Sequence, residues 1–254
     1  MLFLDSQPAS IAKILDNCFK LYSVCFVKIL GYAAIIALWS IILNTLTEQY
    51  LGGNPTDPAA AQLYLTETLP KYMGIIFLAS VLLWIVYIAL IRRIDNVVHE
   101  NQADWSDELR EGLSKLPASI FGMILYTLAV IVGSILLVIP GLIFSLSLVF
   151  YIYFIALESM GGYQSLKESH KLVWGHWWRT MTVFLVPGIF AMIIYFAFVF
   201  LSAFLFDPSS VLFSIVYSII SALITPFFLV VCYVQFHDLK LRKTGMDLEL
   251  RMAG

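Results

Sequence analysis

Charge is scarce in this sequence. Of its 254 residues 13% are Asp, Glu, Lys or Arg, about half the roughly 25% of an ordinary soluble domain, while 61% are hydrophobic. A net charge of −2 without a basic face excludes a nucleic-acid partner. Cysteine is nearly as sparse. Cys18, Cys25 and Cys232 offer neither a disulfide framework nor metal-ligand spacing, and reduced thiols are expected. The segment from Met1 to Asp5 lacks a basic region leading into an apolar core, so no cleaved signal peptide is expected and the first span acts as its own insertion signal.

The long apolar runs carry no ionisable residue in their cores, which disfavours proton-coupled transport or ion pumping through a single chain. Asp207, at the outer end of the span 181–206, precedes Pro208 and reads as a helix cap or a turn. His99, His170, His176 and His237 all fall in the polar segments, and none is spaced with a serine as base and nucleophile. Neither an enzyme nor a cofactor or metal site is therefore expected.

What is present is hydrocarbon-soluble length. A helix needs about 17 to 25 apolar residues to cross a bilayer. Four runs meet this plainly, at 27–46, 72–91, 181–206 and 211–236. The run 118–157 is too long for one crossing and has a breaker pair, Pro140 and Gly141, near its middle, so it is read as two spans, 118–139 and 142–157, joined by a tight turn. Short inner loops collect Lys and Arg. Fourteen of the fifteen basic residues fall before or at the very start of span one, after spans two and four, or in the tail, and only Lys71 lies opposite. Six spans with both termini cytoplasmic follow, in a single membrane domain covering 1–254.

Each odd-numbered span is preceded by a stretch with helical apolar spacing: Ile11, Ile14, Leu15, Cys18, Phe19 and Tyr22; then Trp105, Leu109, Leu113 and Leu116; then Leu166, His170, Val173, Trp174 and Trp177. These predict amphipathic helices in the inner membrane interface, where Trp174, Trp177, Trp178 and Arg179 would meet headgroups. The fold class is thus all-α and polytopic, three hairpins each led by an interfacial helix. A Lys-Leu pair in all three stretches suggests a threefold repeat, although any hairpin protein can acquire such helices. Small residues on spans one, three and six (Ala33, Gly122, Gly133 and Ser218 among them) predict that these lie inside the bundle, with the aromatic span five against lipid. In the tail, Lys240, Arg242 and Lys243 read either as a plain anchor at an anionic surface or as the lead into a turn at Gly245 that folds Asp247 and Glu249 back towards Lys167, Lys171 or Arg179, the second being expected.

Three stretches carry a resemblance. They are Pro8 through Tyr22; Pro140 and Gly141 followed by Glu158, Gly161, Ser165, Ser169 and His176 to Arg179; and the tail from Asp238 to Glu249. Together they resemble the YciC-like bacterial inner-membrane proteins, a family related to the membrane domain of glycerophosphoryl diester phosphodiesterases. His176 stands where asparagine is common and Met246 where an aromatic is common. The resemblance implies a six-helix protein of the bacterial cytoplasmic membrane without the soluble enzyme domain, and it marks Pro140, Gly141, Glu158, Trp177, Trp178, Arg179, Asp238, Gly245 and Asp247 as its motif residues. The expected function is that of a non-enzymatic scaffold or accessory component of the cell envelope, whose partners are membrane lipids and other envelope membrane proteins. The alternative is transport or handling of lipid or another hydrophobic small molecule, for which breaks at Pro187, Gly188 and Pro226 are suited.

Overall fold

The computed structural model describes residues 4, 7–51, 58–205 and 211–253, with side chains at all of these except 48–51, 58–60, 203, 211 and 246–253. Parts of the expected outer loop, and the expected cap or turn at Asp207 and Pro208, lie outside the described residues.

The described chain is all-α. Its helices are α1 (Ile11–Leu51), α2 (Pro58–Leu63), α3 (Leu69–Val98), α4 (Trp105–Leu136), α5 (Val138–Leu148), α6 (Tyr151–Glu158), α7 (Gly162–Val173), α8 (Trp177–Leu205) and α9 (Val211–Ala253), with one π-helical stretch, Tyr64–Thr68, joining α2 to α3. Among the described residues six segments are long and apolar enough to cross a membrane: Ile11–Thr47, Ala61–Val98, Trp105–Leu136, Val138–Glu158, Trp177–Ser202 and Leu212–Gly245. The protein is a multi-pass membrane protein. Helix is imposed here because hydrocarbon offers no partner to backbone N–H and C=O groups. Three hydroxyls inside the spans are satisfied within their own helix, by bonding back one turn: Ser40 to the Ile36 carbonyl, Ser80 to Ile76 and Thr225 to Ser221.

Two of the three expected interfacial helices are not separate elements. α1 runs unbroken from Ile11, and α4 runs unbroken from Trp105 through Pro117. In α1 the reason is visible in one buried stripe, Ile14, Cys18, Leu21, Cys25, Ile29, Tyr32 and Ile36, which continues at helical spacing across the expected boundary. That face packs on α9 and α3 rather than on headgroups. The third stretch does form its own helix, α7. Its buried face, Ser165, Leu166, Ser169, Leu172 and Val173, packs against α4, α5 and α6. Ser169 accepts the Phe150 N–H at 3.1 Å and donates to the Ser147 carbonyl at 2.9 Å, so α7 supplies the partners that the break between α5 and α6 leaves without helix bonds.

The hairpin expected at Pro140 and Gly141 is present, but its turn lies earlier. Leu137 is the extended residue (φ −164°, ψ 151°), and Pro140 sits in the first turn of α5, where its missing N–H costs nothing. Gly141 serves close approach instead. A Cβ there would lie 3.0 Å from the Cα and N of Ser134 on the returning α4.

The expected arrangement, with spans one, three and six inside, is corrected at more than one point: span two, not among them, is more covered at 33% than span six at 28% or span one at 22%. Span five is the least covered, with 11% of its apolar window buried, as expected of a lipid-facing helix. Span three, expected inside, follows at 17%, while the short span four formed by α5 and α6 is the most buried at 44%. Gly122 and Gly133 do mark close contact, but only on the side of α4 that meets α5 and α6.

Candidate functional site

Most of the charged residues excluded from the spans converge at one end of the bundle, the pair Glu67 and Lys71 lying at the other. Glu108, on the first turn of α4, is 1% exposed. Its Oε2 accepts the Tyr32 hydroxyl of α1 at 2.6 Å and lies 2.8 Å from the Arg93 Nε of α3, while Oε1 accepts from Asn96 at 2.9 Å. The Trp105 indole stacks on Tyr32 with ring centres 4.8 Å apart, in space that only a glycine at Gly31 leaves open. Beside this knot Glu111 takes both Arg92 and Lys115 at 2.6 Å, and Lys115 also donates to the Ala156 carbonyl of α6. Pairs this well enclosed and hydrogen-bonded fix helix register, because removing one partner strands the other away from water.

A second knot ties both ends of the chain together. The Asp238 carboxylate on α9 accepts the Ala9 N–H at 2.8 Å, Arg242 Nε at 2.8 Å and Arg179 Nε at 3.2 Å. Both guanidinium groups also donate to the Ala9 carbonyl. Arg179 was expected to reach lipid phosphate. It is instead turned inward, its side chain 17% exposed, because Asp238 offers an enclosed counter-charge. His176 lies beside it, and burial, then the positive charges of Arg242 and Arg179, pull its pKa below the ordinary 6.5.

The expected tryptophan belt is split in the same way. Trp174 and Trp178 are exposed, whereas Trp177 is half-buried against the core. The expected tail turn is absent: α9 continues through Gly245, and the Asp247 and Glu249 side chains lie outside the described residues. The tail does meet the segment between spans four and five, but through its bases. Lys240 pairs with Glu158, and Lys243 donates to the Lys171 carbonyl at 2.5 Å.

Above this charged end two grooves open between the spans. One, of about 570 Å³ between α3 and α4, is lined mainly by apolar side chains, Phe77, Leu83, Ile124 and Leu128 among them, with Trp84, Tyr87, Ser80 and Thr127 carrying the polar groups. The other, of about 320 Å³, is bounded by α3, α6 and α9 and lined by Trp84, Tyr87, Ile152 and Phe228. Trp84 and Tyr87, edge to face at 6.0 Å, form the wall between them. Such volumes fall in or near the range of about 300–1,000 Å³ typical of small-molecule sites. Sequence reasoning missed these grooves, as a cavity has no periodic signature. Among the described residues no group of three or more His, Cys, Asp or Glu is placed to hold a metal ion.

A match to the family described as Domain of unknown function (DUF7847) runs over residues 74–239, well over half of the chain. The chain belongs to this family. The DUF7847 region takes in both groove walls, Glu158 and the pair Arg179 and Asp238, and leaves out Ala9 and the tail from Lys240. No curated protein and no solved structure matches the chain.

Proposed function

We propose that this protein is a non-enzymatic component of the bacterial cytoplasmic membrane that holds a lipid or another hydrophobic molecule in the grooves flanking Trp84 and Tyr87. The observation that carries this reading is the pair of cavities itself. They lie between membrane-spanning helices, their walls are almost wholly apolar, and they share two aromatic side chains that give broad contact area at low entropic cost. Hydrocarbon is the surrounding solvent, so the occupant is one that already partitions into it. The resemblance to YciC-like proteins accords with the bacterial membrane. The gathering of basic side chains at one end accords with cytoplasmic termini, and an externally active reporter should then work at Asn54 and fail at Gly161.

The test is to extract the full chain in a mild detergent and weigh the intact protein by native mass spectrometry. Discrete lipid adducts are expected on the wild type and should fall severalfold in Trp84→Ala, which opens the wall between the grooves, while Phe200→Ala on the exposed face of α8 should retain them. Equal adducts on all three proteins would remove the grooves from consideration.

A further inference from the structure

The groove bounded by α3, α6 and α9 does not end in hydrocarbon. One turn further along the same three helices, from Ile91 to Asp95 on α3 and from Leu229 to Tyr233 on α9, a second cavity of about 230 Å³ lies between the same elements. A step of four residues is a rise of about 6 Å. Asp95, His99, Glu158, His237 and Lys240 line this second cavity. The seam is therefore amphipathic along its length, apolar at Trp84 and Phe228 and charged at Glu158 and Lys240.

The charges at its polar end are of both signs. Asp95 is fully engaged: it accepts the Tyr233 hydroxyl at 2.7 Å and lies 3.3 Å from His99 and 3.6 Å from Arg92. Glu158 is held differently. Its carboxylate pairs with Lys240, whose ammonium also lies 5.2 Å from the Phe236 ring centre and 5.9 Å from that of Phe154. Both side chains of this pair retain solvent access, 27% for Glu158 and 44% for Lys240. On its other side lies a further cavity of about 290 Å³ lined by Glu168 and Lys243, so the pair has room to part.

Resting on the lipid reading above, we propose that this seam is a site for a zwitterionic glycerophospholipid with a primary ammonium headgroup, of the phosphatidylethanolamine class. Its acyl chain lies against Trp84, Tyr87 and Phe228. Its headgroup enters between Lys240 and Glu158, the phosphate meeting the lysine and the ammonium donating to the Glu158 carboxylate. Charge complementarity selects this occupant. An anionic headgroup would bring its net negative charge beside Glu158 with no ammonium to offset it, and a quaternary choline has no N–H to donate to that carboxylate.

The test uses the full chain, stripped of lipid in detergent and then incubated with an equimolar mixture of phosphatidylethanolamine, phosphatidylcholine and phosphatidylglycerol of identical acyl chains, with the retained lipids quantified. The ethanolamine lipid should exceed the choline lipid about tenfold, the order that one charged hydrogen bond commands. Glu158→Gln should bring that ratio close to one. Reading a ratio within each preparation separates loss of recognition from loss of protein. Trp84→Ala should lower all three lipids together without changing the ratio. Equal retention of the three by the wild type, or preference for the glycerol lipid, would overturn the headgroup assignment and leave the grooves in place. Retention of none would overturn both.

Discussion

Asp238 accepts the backbone N–H of Ala9 at 2.8 Å, joining residues 229 positions apart in the chain. The last span thereby holds the segment that precedes the first, and Arg179 at the head of α8 closes the knot from a third side. Three chain segments are registered by one carboxylate that is 4% exposed.

Replacing that carboxylate is expected to loosen all three. Asp238→Asn leaves Arg179 and Arg242 enclosed without a counter-charge, at a cost of about 2–3 kcal/mol for charge-assisted hydrogen bonds of this burial. The detergent melting temperature should fall clearly, and the N-terminal segment should become open to limited proteolysis. Lys20→Ala, which removes an exposed pair with Asp16, should change neither. Equal melting of Asp238→Asn and wild type would contradict the clamp.

The hairpin between α4 and α5 makes a second contrast. Gly141→Ala places a methyl group against the Ser134 backbone, so overpacking of about 1–3 kcal/mol is expected. Gly188→Ala on α8 has nothing within 4 Å of the added carbon and should be neutral or stabilising. Melting of the two variants in the same detergent checks the pair, and identical behaviour would argue against close apposition at Leu137.

Much of this architecture was legible in the sequence, because apolar length and charge placement are local properties. The six spans and the lipid-facing aromatics of α8 followed from them. Span partners did not. An amphipathic face such as Ile14, Cys18 and Leu21 looks the same whether it meets headgroups or another helix, so the leading turns of α1 and α4 were read as interfacial. Small residues such as Gly122 and Gly133 show where two helices touch most closely, not how many sides of a helix are covered. The partner of Arg179 lies 59 residues away at Asp238, beyond any local pattern. Glu158 and Asp238 were singled out as motif residues, but what each grips was visible only in three dimensions.

His176 gives the pH prediction. Its pKa in the folded chain lies below the ordinary 6.5, through burial and the nearby charges of Arg242, Arg179 and Lys243, against which Asp238 pulls in the opposite direction. The unfolded chain therefore takes up this proton first. The stability in question is complete above pH 6.5 and is lost as the pH falls from there through the folded pKa. Between about pH 7.5 and pH 5.5 the wild type should lose more melting temperature than His176→Asn, which has no proton to bind. A parallel decline in both would assign the loss elsewhere.

The central claim is that the grooves around Trp84 and Tyr87 hold an apolar molecule in preference to the general lipid-facing surface. The most direct measurement is photo-crosslinking in native membranes with a phospholipid carrying a photoreactive group on its acyl chain, followed by mapping of the labelled peptides. Labels concentrated on α3 from Phe77 to Ile91, α4 from Ile120 to Leu128 and α9 from Ile224 to Leu229 are the expected result. Labels spread as densely over the exposed α8 face at Phe196 and Phe200 would show ordinary contact with the bilayer and contradict the account.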